Sequence, residues 1–304
     1  CGPMHEPVLP KVQGLDSFEG EIFHSSRWRH DIDLRGKRVA VIGTGASAIQ
    51  FVPEIQPLVK HLSVFQRTPH WVLPKMDQTL PPLVQRLFKH LPLAQLAVRG
   101  AVFGIFETLN GGMQNIAAMK QFQRLALFNL RRTVRDPEIR QRLTPNYVIG
   151  CKRVLQSNQW YPALVQKNVD VISSALAEVR GKTLIAADGS EHEVDVIILG
   201  TGFEVAEPPI AKRVFNRYGV SMADVWQGSP EGYLGTMVAD CPNGFLMFRP
   251  NIAVSSSAFL IIEAQLTYIV DAITQARAQD ITSIETNPER MAEFNRRVQS
   301  ALQD

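Results

Sequence analysis

Apolar and polar positions follow three different rhythms along the 304 residues. From Val39 to Ile42, and again from Leu62 to Phe65, short and mostly apolar runs read as strands buried on both faces. Between them Ile49, Val52, Ile55 and Val59 recur at helical spacing, which predicts a helix that Pro53 and Pro57, both falling inside it, should shorten or kink. Leu34 to about Thr68 therefore reads as a β-α-β unit. From Pro81 to Arg142 the pattern becomes long helical periodicity with few strand signals, a helical insertion over about 78–143. Strand rhythm returns at Val169 to Ile172 and Lys182 to Ala186. Asp188-Gly189 supplies a hairpin turn, and Glu193 to Leu199 is the next strand. Asp195 to Leu199 is apolar after its first residue and runs into Gly200-Thr201-Gly202-Phe203. The last hundred or so residues hold a loop-rich stretch and a strong helix from about Ser256 to Ala276. The first thirty, rich in proline and glycine, read as a connector and not as core. No repeat or low-complexity tract is present.

The first strand runs straight into Gly43-Thr44-Gly45-Ala46-Ser47-Ala48. A turn of this kind can hold a dinucleotide pyrophosphate: Gly43 permits the tight bend, Gly45 lets the backbone approach phosphate oxygens, and Ala48 keeps the helix close to the strand. The N–H groups of the helix that begins near Ala46 then face the anion. The plain alternative is an ordinary strand-to-helix turn, and the β-α-β context favours the nucleotide. About twenty residues past the glycines an NAD site usually places an acidic residue on the ribose. This chain has Gln66-Arg67-Thr68 instead. A guanidinium there suits a 2′-phosphate, so the expected cofactor is NADPH, with a solvated strand-end charge as the alternative for Arg67.

Length allows two domains, or one domain with an insertion. The formal net charge of +3 is too small to argue for a nucleic-acid partner, and pairs such as Arg131-Arg132 read as a solvated helix face. Cys1, Cys151 and Cys241 show neither metal nor redox spacing, and their odd number argues against a secreted disulfide framework; a reducing, cytoplasmic setting is expected. No signal peptide is expected at the start of the chain. Gln95, Arg99 and Glu107 interrupt the apolar run from Leu91 to Leu109, which reads as a buried or surface-dipping helix and not as a membrane span. Oligomeric state is left open.

Upstream of the glycines lies Phe18-Glu-Gly20-Glu-Ile-Phe-His24-Ser-Ser-Arg-Trp28. It resembles the Phe-x-Gly-x-x-x-His-x-x-x-Trp fingerprint of Baeyer–Villiger monooxygenases and related flavin-containing monooxygenases, with Arg29 where relatives often have Pro or Asp. In that family the histidine is a hinge and contact residue between domains. Val64 to Trp71 resembles the family's NADPH phosphate segment, and Tyr147 to Arg153 its active-site basic pair. Asp195 to Phe203 resembles its second Thr-Gly signature near the flavin. Gln265 falls in a helix similar to the family's last flavin-domain helix. The resemblance covers nearly the whole chain.

This resemblance implies an α/β fold: a Rossmann-like NADPH-binding domain with a helical insertion, plus part of an FAD-binding three-layer domain. Residues 1–33 would be a flavin-domain remnant and linker, 34–200 the NADP domain, and 201–304 the C-terminal part of the flavin domain. It implies NADPH and FAD as cofactors, dioxygen and a small ketone, sulfide or amine as substrates, and oxygen insertion by a C4a-peroxyflavin. Arg153 would stabilise the anionic peroxide, as a fixed cation does in a low-dielectric site. Lys152 would contact the NADP phosphate, and Thr201, Gly202 and Asn251 would serve cofactor binding. Taken as residues alone, Lys152 and Arg153 read equally as surface cations, and Thr201-Gly202 as a strand-ending turn.

The sequence contains no second Gly-x-Gly-x-x-Gly for the ADP part of FAD. In the resembled family that motif precedes the fingerprint, so the 304 residues are expected to be an internal fragment, inactive alone. Arg249 stands where relatives usually carry a glycine, and an arginine resists positive φ. Two other readings remain: a flavin monooxygenase that oxygenates nitrogen or sulfur, and a catalytically silent NADP-binding module. Trp28 favours ketone oxidation over the first. No close cysteine pair supports a disulfide reductase.

Overall fold

The computed structural model describes residues 4–75, 79–113, 116–204, 208–248, 250 and 258–301. The chain divides into two compact units, residues 7–202 and residues 203–304 together with the first six.

The larger unit is built on a parallel sheet. Its strands are β1 (Glu21–His24), β2 (Arg38–Ile42), β3 (His61–Phe65), β6 (Val169–Ile172) and β10 (Val196–Leu199), in the order β1-β10-β2-β3-β6. Every neighbouring pair is parallel. A second sheet, antiparallel, holds β7 (Leu176–Arg180), β8 (Thr183–Ala186) and β9 (Glu191–Glu193). Alternation along the strands assigns the two faces. Val39, Val41, Leu62 and Val64 pack on one side against α1 (Ala48–Ile55), α6 (Trp160–Leu164) and the buried Leu130, Val134 and Leu143. Ala40, Ile42 and Phe65 pack on the other against Leu176, Val179 and Leu184 of the antiparallel sheet. The central sheet is thus covered by helices below and strands above, a three-layer α/β arrangement. Each of the fully buried branched side chains contributes about 1.5–3 kcal/mol.

Between β3 and β6 the chain forms α2 (Pro82–His90), α3 (Pro92–Met113), α4 (Ile116–Thr133) and α5 (Pro137–Arg142), flanked by the two-residue strands β4 (Val72–Leu73) and β5 (Leu155–Gln156). Asp136 caps α5 by accepting from the N–H groups of Glu138 and Ile139, with Pro137 at the first helical position. No described helix is long and apolar enough to cross a membrane.

Four sequence expectations change. The first thirty residues are more than a connector: Glu21–His24 forms the edge strand β1, with Phe23 and His24 buried. Pro57 lies beyond α1, because the helix ends at Ile55; Pro53 alone falls inside it, and Val59 is buried from the turn that follows. The run read as one strand from Glu193 to Leu199 is two strands in different sheets, parted where the Val194 N–H donates to Lys182 and the Asp195 N–H to Arg38. Lastly, the chain forms a helix after the apolar one, from Pro288 to Ala301 (α9).

In the smaller unit, α7 (Met222–Trp226) and the helix α8 (Ala258–Ala278) frame a loop-rich stretch. Gln265 of α8 is buried there. Its Nε2 donates to the Gly235 carbonyl at 2.7 Å and its Oε1 accepts from the Phe248 N–H at 2.7 Å, tying the loop to the helix.

Candidate functional site

The strand order makes the carboxyl end of β2 a switch point: β3 follows on one side through α1, while β10 lies on the other. In open α/β sheets the crevice at such a point takes the ligand. The glycine turn sits there. Gly43 has φ of +106°, and a β-carbon on it would stand 2.5 Å from the Gly200 carbonyl oxygen, so both conformation and proximity demand glycine. Gly45 is different, because nothing lies within 4 Å of where its β-carbon would be. Thr44 is buried, Ala46 is exposed, and Ser47, at the N-cap of α1, makes no side-chain capping bond. At the start of α1 the Ile49 N–H donates to the Gly45 carbonyl at 3.1 Å, and the Gln50 and Phe51 N–H groups donate to that of Ser47 at 3.1 and 3.3 Å, so the N–H groups that can turn to a ligand are those of the turn just before them. A glycine with open space above it, beside those N–H groups, fits a pyrophosphate.

Register places the neighbouring strand end beside this turn. Ile42 pairs with Phe65, and the Gly43 N–H donates to the Phe65 carbonyl at 3.1 Å. Gln66 then turns inward, 2% exposed, its Nε2 donating to the Arg142 carbonyl at 2.9 Å. Arg67 points out and is exposed, followed by the half-buried Thr68.

On the other flank, β10 delivers Gly200, Thr201 and Gly202. A β-carbon on Gly200 would lie 3.7 Å from that of Ala48, so this strand end and the start of α1 are in contact. The Thr201 hydroxyl donates to the Val8 carbonyl, and the Val8 N–H to the Gly202 carbonyl at 2.9 Å. Thr201 is thereby a staple for the chain's beginning. Gly202 has φ of +86° and open space around its α-carbon.

The Phe18–Trp28 segment fixes β1 against β10. A β-carbon on Gly20 would fall 2.4 Å from the Asp195 carbonyl and 2.6 Å from the Phe18 ring, so glycine is what lets the strands close. His24 pairs with Leu199 and is buried; its Nδ1 lies 2.8 Å from the Ser26 hydroxyl. Burial lowers its pKa, opposed by the Gly202 backbone, while Arg27 lowers it further. Trp28 stacks edge-on to Phe23 at 5.2 Å and tilts against Phe51 of α1 at 5.3 Å. Arg38 anchors the base of this sheet through Asp195, donating from its backbone N–H (2.9 Å), Nε and Nη2 (2.8 Å). These bonds hold the Asp195 carboxyl down at about 2.

Lys152 and Arg153 are exposed, in a turn after Gly150, where φ is +101°. The pairing of β4 with β5 brings them beside the Arg67–Trp71 segment: the Leu155 N–H donates to the Trp71 carbonyl at 2.9 Å. His70 has a buried Nδ1 with no hydrogen-bond partner; burial and then Lys152 lower its pKa. Arg249 and Asn251 lie outside the described residues. Pattern reading overlooked Gln66, Gly200 as the wall behind Gly43, and Tyr147 as a contact of Lys152. Only the Gly-Thr-Gly repeat at the end of β10 hinted at any of them. Among the described residues, no three His, Cys, Asp or Glu side chains group as a metal site.

The profile of the flavin-binding monooxygenase-like family matches residues 1–95. A Baeyer-Villiger monooxygenase of Streptomyces coelicolor is 43% identical over 99% of this chain and 59% of its own length. Among solved structures, cyclohexanone monooxygenase from Rhodococcus sp. Phi1 bound to NADP+ superposes with a TM-score of 0.81 at 27% identity, over 97% of this chain and 62% of that one. The OTEMO complex with FAD and NADP gives a TM-score of 0.85 at 25% identity, over 99% of this chain and 64% of that one. The chain spans about three fifths of the length of the relatives it matches.

Proposed function

We propose that the chain belongs to the Baeyer–Villiger and flavin-containing monooxygenase family, and that it carries the NADPH seat and part of the flavin site of an enzyme that inserts one oxygen atom of O2 into a ketone. The observation that carries this reading is the glycine turn at the switch point, with the exposed Arg67 at the adjoining strand end. Gly43 to Ser47 would hold the pyrophosphate, while Arg67, Thr68 and Lys152 would meet the 2′-phosphate. Gly202, open and left-handed, together with Thr201, would face the flavin. When bound, NADPH supplies a hydride and FAD the oxygen-activating chemistry.

The protein's share is binding, orientation and charge. Backbone N–H groups of the turn that leads into α1, with the positive end of the helix dipole behind them, would neutralise the pyrophosphate without a mobile counter-ion. Arg67 discriminates by charge: its guanidinium gains two charge-assisted hydrogen bonds with a phosphate and little with a bare ribose hydroxyl. Arg153, permanently protonated, would stabilise negative charge that develops beside the flavin, most strongly where water is excluded. The fingerprint residues Phe18, Gly20, His24 and Trp28 hold β1 to β10 and so set where Thr201 and Gly202 emerge. In this role they position the site and transfer no proton.

A chimaera that joins this chain to the segments of the Streptomyces coelicolor relative outside the match would test the reading. NADPH oxidation should couple to ester or lactone formation from ketones, with one atom of 18O2 in the product. Sulfide or amine oxygenation without any ester would move the assignment to heteroatom chemistry. Failure of the chain to bind NADP+ would remove it.

A further inference from the structure

Tyr147 has been given no role of its own, yet it joins the two segments proposed to face the cofactor. Its hydroxyl donates to the Pro69 carbonyl at 3.1 Å, and its own carbonyl accepts from Trp71 Nε1 at 2.9 Å. Trp71 is itself 2% exposed and stands edge-on to the Tyr147 ring at 6.5 Å. The ring is therefore pinned at both ends to residues that follow Arg67 in the chain. Over its face, 5.0 Å from the centroid, sits the ammonium of Lys152. A lysine at an exposed turn ordinarily samples many rotamers, and ordering it on a phosphate costs entropy.

We propose that Tyr147 is a positioning residue: its pinned ring seats Lys152, so that the strand end bearing Arg67 and the turn bearing Lys152 present a preformed pair of cations to the 2′-phosphate of NADPH. This rests on the NADP reading above and adds to it the source of the pair's preorganisation. An attraction between an ammonium and an aromatic face at an exposed site corresponds to about two- to fivefold in an equilibrium constant. That factor acts only on a ligand that Lys152 touches. Tyr147 therefore tunes the choice between NADPH and NADH without itself meeting either.

The test is calorimetric titration of the 304-residue chain with NADP+ and NAD+. Tyr147→Leu should weaken NADP+ about fivefold and leave NAD+ unchanged, whereas Tyr147→Phe, which keeps the ring but frees it from Pro69, should weaken NADP+ by less than Tyr147→Leu does. In a Lys152→Ala background, Tyr147→Leu should cause no further loss. Equal losses for both cofactors, or additive losses in the double variant, would overturn the proposal and leave the NADP site standing. An unmutated chain with no preference for NADP+ over NAD+ would instead remove the underlying site. Should Tyr147→Leu not fold, the unmutated chain decides: its Lys152 side-chain resonances must show an upfield ring-current shift, and their absence overturns the seat.

Discussion

The carbonyl oxygen of Gly200 stands 2.5 Å from where a β-carbon on Gly43 would project, so the end of β10 forms the back wall of the glycine turn. Gly45, two residues on, faces no atom within 4 Å. The two glycines therefore meet different surroundings, one closed in by the fold and one open.

Substitution separates them. Gly43→Ala should cost about 1–3 kcal/mol in backbone strain alone, and abolish NADP+ binding. Gly45→Ala should leave urea unfolding nearly unchanged while weakening NADP+ at least tenfold, because its methyl would occupy the space meant for the pyrophosphate. Equal destabilisation by both would remove the distinction.

Arg67→Ala should weaken NADPH by about ten- to a hundredfold, the worth of a charge-assisted hydrogen-bonded pair, and leave NADH almost untouched. Calorimetry with the two reduced cofactors measures the difference. Equal losses would reassign Arg67 to the solvated surface.

Asp195 titrates at about 2 when folded, against 3.8 as the ordinary value, because Arg38 hydrogen-bonds its charged form. A depressed carboxylate contributes stability that is fully present above pH 4 and is lost as the pH falls towards 2. Asp195→Asn should therefore lower stability at pH 7 by roughly 2 kcal/mol. The variant and the unmutated protein should converge near pH 2. Urea melts across this window would expose a misassignment if the gap persisted in acid.

In the chimaera, Arg153→Ala should reduce ester formation at least a hundredfold, the scale seen when one group stabilising developing charge is removed. Circular dichroism and NADP+ affinity should remain as before. Undiminished ketone oxidation would take Arg153 out of the mechanism.

What the sequence made legible is what local pattern encodes. The β-α-β unit was readable because Val39–Ile42 and Leu62–Phe65 are compact apolar runs and the glycines between them punctuate the turn. Pro57 was placed one step too far inside, since a proline can end a helix as readily as bend it. β1 stayed hidden for a different reason: an edge strand of four residues, Glu21 to His24, carries only two apolar side chains and follows a stretch full of turn residues. The break between β9 and β10 opens no gap in the apolar pattern, because Val194 at the junction is itself fully buried, between the exposed Glu193 and the half-buried Asp195. Only the change of hydrogen-bond partner, from Lys182 to Arg38, reveals it. At the site, the tight turn at Gly43 and the exposed strand end at Arg67 follow short-range rules, so their places in the fold were readable. The approach of Gly20 to Asp195, and the seat of Lys152 on a ring pinned to Pro69, join distant stretches of chain and leave no periodic trace.

Gln66 and Arg67 are adjacent in sequence and opposite in circumstance, one sealed beneath the Arg142 carbonyl and the other exposed. The buried partner keeps the strand end in place whatever its exposed neighbour is. On the proposed reading, cofactor preference would rest on a residue whose replacement leaves the scaffold intact. Exchanges at Arg67 and Lys152 would then shift the choice between the phosphorylated and unphosphorylated nicotinamide pools, with selection on metabolism and selection on folding acting on separate side chains.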